Sequence, residues 1–340
     1  MAAKHYRNIT KKIPFVKNAP LVYNLTITPG WLLVGLYVFL RGALVLSAGT
    51  TSGTLVGDNP GQLLGRITVD ADPLPGGFYN GGRIVQLTPR STKLRRKIDR
   101  GTLQPDSKTA AGVSGAAGTF NLNTILEIPF AFPKLVRPIE TALRLDQFAN
   151  FVLTVNTQDV PTMLSGNDRT ADYSQLFVEI VEVREYAPDY YPEATPYQSD
   201  TLIVLQAANN RLLVDAELPK TESYIDAMIY TETTNQALAD TILNRETAFS
   251  GTDQFDDMFA DHLKGFFQQV ITDQAESATG CYWVPLVQGL SENAGLLNGA
   301  LPDLKLQLDV SNPGGAGNDR VNIAHRRVSP RHGGPANKKA

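Results

Sequence analysis

One pattern of strands occurs twice along the chain, and this limits its fold more than any single residue does. In the first half, residues 125–130 form an apolar run broken by Pro129, and strands at 143–156 and 177–183 follow. In the second half, residues 281–287 form an apolar run broken by Pro285, and strands at 304–312 and 320–328 follow in the same order. Each half also opens with a strand, a Pro-containing turn and another strand: residues 21–34 in one, 212–230 in the other. β-Branched and aromatic residues fill these runs, which marks them as strands. The repeat predicts a duplicated β domain.

Length agrees, since 340 residues exceed what one ordinary core organises. Charged residues are sparse at 19%, while Gly (28) and Pro (21) are plentiful, a profile of short strands joined by many turns. The single cysteine, Cys281, excludes an internal disulfide framework and any multi-cysteine metal site. The net charge of −3 does not by itself call for a polyanionic partner.

The charge is unevenly placed. No acidic residue precedes Asp58, whereas Lys4, Arg7, Lys11, Lys12 and Lys17 crowd the start. Arg326, Arg327, Arg331, Lys338 and Lys339 crowd the end. The expected division is a basic arm at 1–19, a first β domain at 20–187, a Pro/Tyr-rich linker at 188–200, a second β domain at 201–330 and a basic tail at 331–340. Residues 31–47 are apolar enough to suggest a membrane span. Arg41 near the middle and two internal glycines make buried strands the better reading. Residues 49–61 and 101–118 read as exposed loops. The basic segment from Arg90 to Arg100 reads as an exposed loop or an ion-pair surface between subunits.

One stretch breaks the β pattern. From Asp253 to Val270 the apolar residues recur at helical spacing, which predicts an amphipathic helix with Thr252 or Asp253 as N-cap. A weaker helical signal covers 235–244. Catalytic signatures are missing: there is no nucleophile elbow, no phosphate-cradling glycine loop and no zinc-binding helix pattern. His5, His262, His325 and His332 have no partner at metal-ligand spacing and read as surface or rim residues. Asp256, Asp257 and Asp261 read as a solvated helix face, and Cys281 as a buried thiol. The sequence offers no catalytic, cofactor-binding or metal-binding residue, so the chain is expected to work through its surfaces and not as an enzyme.

The paired Ile-Pro-Phe and Val-Pro-Leu units at 128–130 and 284–286, the paired strands at 143–156 and 304–312, the closing strands at 177–185 and 320–328, and the basic start carry a resemblance. The chain resembles the double jelly-roll major capsid proteins of icosahedral viruses, of the type found in tectivirus-like bacteriophages with an internal membrane. The resemblance implies an all-β fold of two tandem eight-stranded jelly rolls with a few short helices. It implies homotrimers of six rolls, pseudo-hexameric tiles of a virion shell assembled in the host cytoplasm. Partners would be further copies of the chain, minor capsid or penton proteins, and internal membrane lipids met by Lys4, Arg7, Lys11, Lys12 and Lys17; no specific nucleic-acid sequence is implied. A minor capsid or spike-base protein is the alternative. A carbohydrate-binding β-sandwich, with Tyr190, Tyr191 and Tyr197 stacking on sugars, is another.

Overall fold

The structure is a computed structural model. It describes residues 6–56, 59–101, 116–133, 135, 137–166, 168–205, 212–218, 223–233, 236–250, 252–270, 279–286, 304–311 and 319–332. The first half comprises β1 (Tyr6–Pro14), β2 (Pro20–Asn24), β3 (Trp31–Leu46), the short β4 (Thr54–Leu55), β5 (Leu64–Pro73), β6 (Gly82–Leu87), β7 (Gly118–Pro129), the short β8 (Leu143–Arg144), β9 (Phe148–Thr157), the short β10 (Leu164–Ser165) and β11 (Ala171–Tyr186). The second comprises β12 (Ala194–Val204), β13 (Leu212–Glu217), β14 (Ser223–Glu232), β15 (Leu243–Ser250), β16 (Asp253–Phe259), β17 (Cys281–Pro285), β18 (Leu304–Val310) and β19 (Arg320–Pro330). Helix α1 (Pro89–Arg100) joins β6 to β7, and helix α2 (Ala260–Val270) joins β16 to β17.

Each half is a sandwich of two four-stranded layers in one topology. The first pairs β1-β11-β3-β7, with the short β8 added beside β3, against β2-β9-β5-β6; the second pairs β12-β19-β14-β17 against β13-β18-β15-β16. Strand for strand these are two jelly rolls. Among the described residues their sheets are joined at one place. Strands β6 and β12 run parallel, with Val85 opposite Gln198 and Gln86 opposite Ser199, so two layers fuse into one eight-stranded sheet.

The duplication extends to single residues. In the first roll, Gly35 faces Val183 and Pro129, and the ladder skips Val34 before Leu33 meets Arg184. In the second, Asp226 faces Arg326 and Pro285, and the ladder skips Ile225 before Tyr224 meets Arg327. The same β-bulge sits at the same point. It also explains the repeated prolines. Each ends an edge strand, where a missing N–H is tolerated, and the next residue's N–H reaches the bulged carbonyl. Phe130 donates to Val34 at 2.8 Å, and Leu286 to Ile225 at 3.1 Å.

Each roll has its own core. In the first, Leu36, Val38 and Leu40 of β3 meet Val69 of β5 and Leu153 and Val155 of β9. In the second, Ile229 and Ile323 meet Leu306 and Leu308. Each such fully buried side chain is worth roughly 1.5–3 kcal/mol. The apolar run at 31–47 is β3, a sheet strand, and none of the helices among the described residues is long and apolar enough to cross a membrane. Gly42 is required within it. Its φ is +118°, and a Cβ there would lie 2.0 Å from the Gln175 carbonyl oxygen, at a bulge in β11.

Several expectations are corrected. Residues 6–14 of the expected arm are a strand on β11, with Ile13 packed on the core, so the first roll starts ahead of residue 20. Lysines hid this strand: on an edge their long stems lie along the sheet while the charges stay in water. The linker is shorter than 188–200, because β12 begins at Ala194. The helix expected from Asp253 begins at Ala260, and 253–259 is strand β16. Residues 236–242 form turns and not a helix. The segment Arg90–Arg100 lies in a helix and not in a loop. Residues 102–115 of the expected second loop, Lys4, His5 and 333–340 of the tail lie outside the described residues.

Candidate functional site

Helix α1 is the most heavily charged element, yet most of it is buried. Its ends are well made. Thr88 caps the N-terminus by accepting from the Ser91 N–H, Pro89 sits in the first turn, and Gly101 closes the C-terminus in the left-handed region at φ +75°. The helix belongs to the first roll by sequence but lies on the outer sheet of the second. Leu94 and Ile98 pack with Met228 and Tyr230 of β14, Cys281 of β17, Ala324 of β19 and Phe267 of α2, a third apolar cluster.

Around that cluster runs a ring of interdomain ion pairs. Arg90 Nη1 lies 2.6 Å from Glu232 Oε1, and Arg95 Nη1 lies 2.6 Å from Asp226 Oδ1. Arg326 Nη1 donates to Asp99 Oδ1 at 2.6 Å. At the helix start, Asp200 of β12 accepts from the Thr88 N–H and the Ser91 hydroxyl, both at 2.7 Å, where the helix dipole favours a carboxylate. Arg95 and Asp226 are 3% and 4% exposed, so this pair is desolvated and losing one partner strands a buried charge. The basic segment is an ionic clamp within one chain, not a surface between subunits.

Three of the residues expected to meet lipid, Lys11, Lys12 and Lys17, are among the described side chains. Lys11 and Lys12 are exposed on the β1 edge, and Lys12 Nζ lies 3.6 Å from the centroid of the Phe177 ring. Lys17 is paired with Asp159 at 2.9 Å. Arg7 lies on β1 opposite Arg184.

The other sequence candidates disperse. Asp257 is on a strand, bound by both Arg245 and Thr247, and Asp261 is exposed in the first turn of α2. Tyr197 is 5% exposed, and Tyr191 lies under the Arg144 guanidinium at 3.9 Å, so no sugar-stacking platform exists at 190–197. Cys281 is buried as expected. His325 corrects the sequence reading, because it is buried. Burial, with Arg327 and Arg95 beside it, holds its imidazole well below the usual histidine range. His262 and His332 are exposed. Among the described residues no group of three or more His, Cys, Asp or Glu could hold a metal.

No protein-family model and no curated protein matches the chain. Solved structures do. The crystal structure of the STIV MCP is 12% identical, covers 97% of each chain and superposes with a TM-score of 0.67. The double jelly roll is the fold of this chain. The Faustovirus major capsid protein shares it at 9% identity and TM-score 0.58, over 97% of this chain and 90% of its own. The major capsid protein of bacteriophage PM2 shares it at 13% identity and TM-score 0.55, over 98% and 100%. At such identities the double jelly roll is what these proteins have in common.

Proposed function

We propose that this chain is a major capsid protein whose homotrimers, six rolls each, tile an icosahedral virion. The observation that carries this reading is the end-to-end match of two fused rolls to viral major capsid proteins, with both chains covered at 97% in the STIV MCP. The internal construction agrees. The rolls share a sheet and an ionic clamp, so the chain is a rigid double unit suited to tiling. Such a protein works by burying lateral contacts repeated over a closed lattice. Its site of action is the virion, and catalysis plays no part in this reading. A contact of Lys4, Arg7, Lys11, Lys12 and Lys17 with membrane lipid stays part of this reading; exposure of Lys11 and Lys12 on the β1 edge supports it.

Native mass spectrometry of the purified chain tests the reading. Three copies per particle, with a hexagonal outline in negative stain, are expected; a strict monomer at high concentration overturns it.

A further inference from the structure

The clamp at α1 is half of a repeated arrangement. In each roll, the strand after the shared position leads into a helix, β6 into α1 and β16 into α2. Helix α1 covers the outer β14/β19 sheet of the next roll in the chain. Over the equivalent sheet of the first roll, β3/β11, no helix of another roll is packed among the described residues. Its outer side chains Tyr37, Phe39, Phe177, Val181 and Val183 remain partly exposed.

We propose that α2 of one copy covers the β3/β11 face of the next copy, while the free β16 edge meets the free β1 edge. This contact would repeat between chains the β6–β12 and α1 junction within the chain. It rests on the trimer reading above and specifies its interface.

The equivalences can be checked residue by residue. Aligned at the shared bulge, Gly35 corresponds to Asp226, Val183 to Arg326, Arg41 to Glu232 and Glu179 to Asn322. The cross-strand bond is kept in both rolls: Arg41 to Glu179 at 2.9 Å, and Asn322 to Glu232 at 3.2 Å. Aligned at their first residues, Arg90 corresponds to Asp261, Arg95 to Phe266, Arg96 to Phe267 and Asp99 to Val270. Helix-to-own-roll contacts support that alignment. Arg96 is 3.5 Å from Glu127, and their counterparts Phe267 and Trp283 share one apolar cluster.

The three clamp pairs then change on both sides together. Arg90–Glu232 becomes Asp261–Arg41, the same ion pair with its charges exchanged. Arg95–Asp226 becomes Phe266–Gly35, an aromatic ring that rests in part on its own roll's core and keeps an exposed side for a residue with no side chain. Asp99–Arg326 becomes Val270–Val183, two partly exposed apolar groups, Val270 resting also against the α1 cluster. The match lies in these three pairs; Leu94 and Ile98, which pack α1 on the second roll, correspond to Gly265 and Gln269, so the new contact would draw its apolar part from Phe266, Val270 and the aromatic face of β3.

The edges agree as well. β1 carries Arg7, Lys11 and Lys12 and no acid; β16 carries Asp253, Asp256 and Asp257 and no base, although Asp257 is paired with Arg245 of β15. Lysines on an edge discourage indiscriminate pairing, and an acidic edge is the one they admit. At the β16–α2 corner, Phe259 is 59% exposed beside a groove of about 300 Å³ that Asp261 and Lys264 also line. The contact is head-to-tail, and three such contacts close a ring of six rolls.

A charge exchange tests this. Arg41 and Asp261 are both at the surface, so the singly changed chains should fold with unchanged circular dichroism. R41E and D261R should each weaken trimer formation by roughly 100-fold at low salt, since each sets like charges face to face, and R41E/D261R should restore it. A V183C/V270C chain should give a covalent trimer on a non-reducing gel, because the native thiol Cys281 is buried. Single variants that assemble like wild type, a double variant no better than the singles, or an intact trimer that fails to cross-link would each overturn the interface while leaving the trimer standing. A wild-type chain that never associates would overturn the trimer reading itself.

Discussion

Strands β14 and β3 occupy the same position in their rolls, yet they are finished differently. All ten residues of β14 are buried, because its own core covers one face and α1 the other. β3 alternates instead: Leu36, Val38 and Leu40 are buried, while Tyr37, Phe39 and Arg41 are partly exposed. The second roll is completed inside the chain by the first. The first roll is left open on the equivalent side. A duplicated unit that covers its successor leaves its first copy uncovered, and the proposed interface places the next copy on that sheet.

The contrast is broken most severely at the desolvated clamp. Asp226→Ala should cost about 3–5 kcal/mol in urea unfolding, because it leaves Arg95 buried and unpaired. R95M/D226M should recover most of that loss, since apolar pairs of similar size commonly replace buried ion pairs. A loss under about 1 kcal/mol for Asp226→Ala would mean that water reaches the seam and that β14 is no better covered than β3. Next in size, Ile98→Ala should cost about 2–5 kcal/mol through the cavity left among Met228, Tyr230 and Cys281. Phe39→Ala, on the open sheet, should cost the free chain less and show its main effect on association.

The sequence made the repeat legible because the strands that pattern the core obey a two-residue period, and that period survived in both copies. The paired prolines at 129 and 285 were visible too, although their reason, a bulged carbonyl waiting for the next N–H, needed the ladder. What the sequence concealed was long-range. The charges between Arg90 and Arg100 have partners at Asp226, Glu232 and Arg326, more than a hundred residues away, so a buried clamp looked like a solvated loop. β1 was concealed because its lysines resemble an arm until β11 is seen beside it. Phe255 and Phe259 fit a helical period and a strand's alternation alike, and pairing with β15 selects the strand for 253–259.

Acid should weaken the chain through a histidine of the second roll. His325 sits on β19 among Arg327 of its own strand, Arg95 of α1, Tyr224 of β14 and Ser199 of β12. Its folded pKa is depressed below the ordinary 6.5, chiefly by burial and then by the two arginines. The unfolded chain therefore takes up this proton first as pH falls. The stabilisation is fully present above about pH 6.5 and is lost below it, by up to roughly 1.4 kcal/mol per pH unit until the folded imidazole protonates. Urea midpoints at pH 7.5 and 5.5 should differ less in His325→Gln than in wild type. An equal drop in both would assign the acid sensitivity to carboxylates alone.

The smallest effect belongs to the open sheet's own ion pair. Arg41 and Glu179 lie 2.9 Å apart, with side chains 39% and 20% exposed. Water screens such a pair, so Glu179→Ala should cost the free chain about 0–1 kcal/mol, against several for the equivalent region of the second roll. Its consequence for association should run the other way. Arg41 released from Glu179 keeps its full charge for an approaching carboxylate, so Glu179→Ala should leave trimer formation unchanged or strengthen it slightly in low salt. Sedimentation of the variant against wild type reads this directly. A variant that both unfolds readily and fails to assemble would mean that the outer sheet of the first roll is held by its own surface pairs, and that it is not a face awaiting a partner.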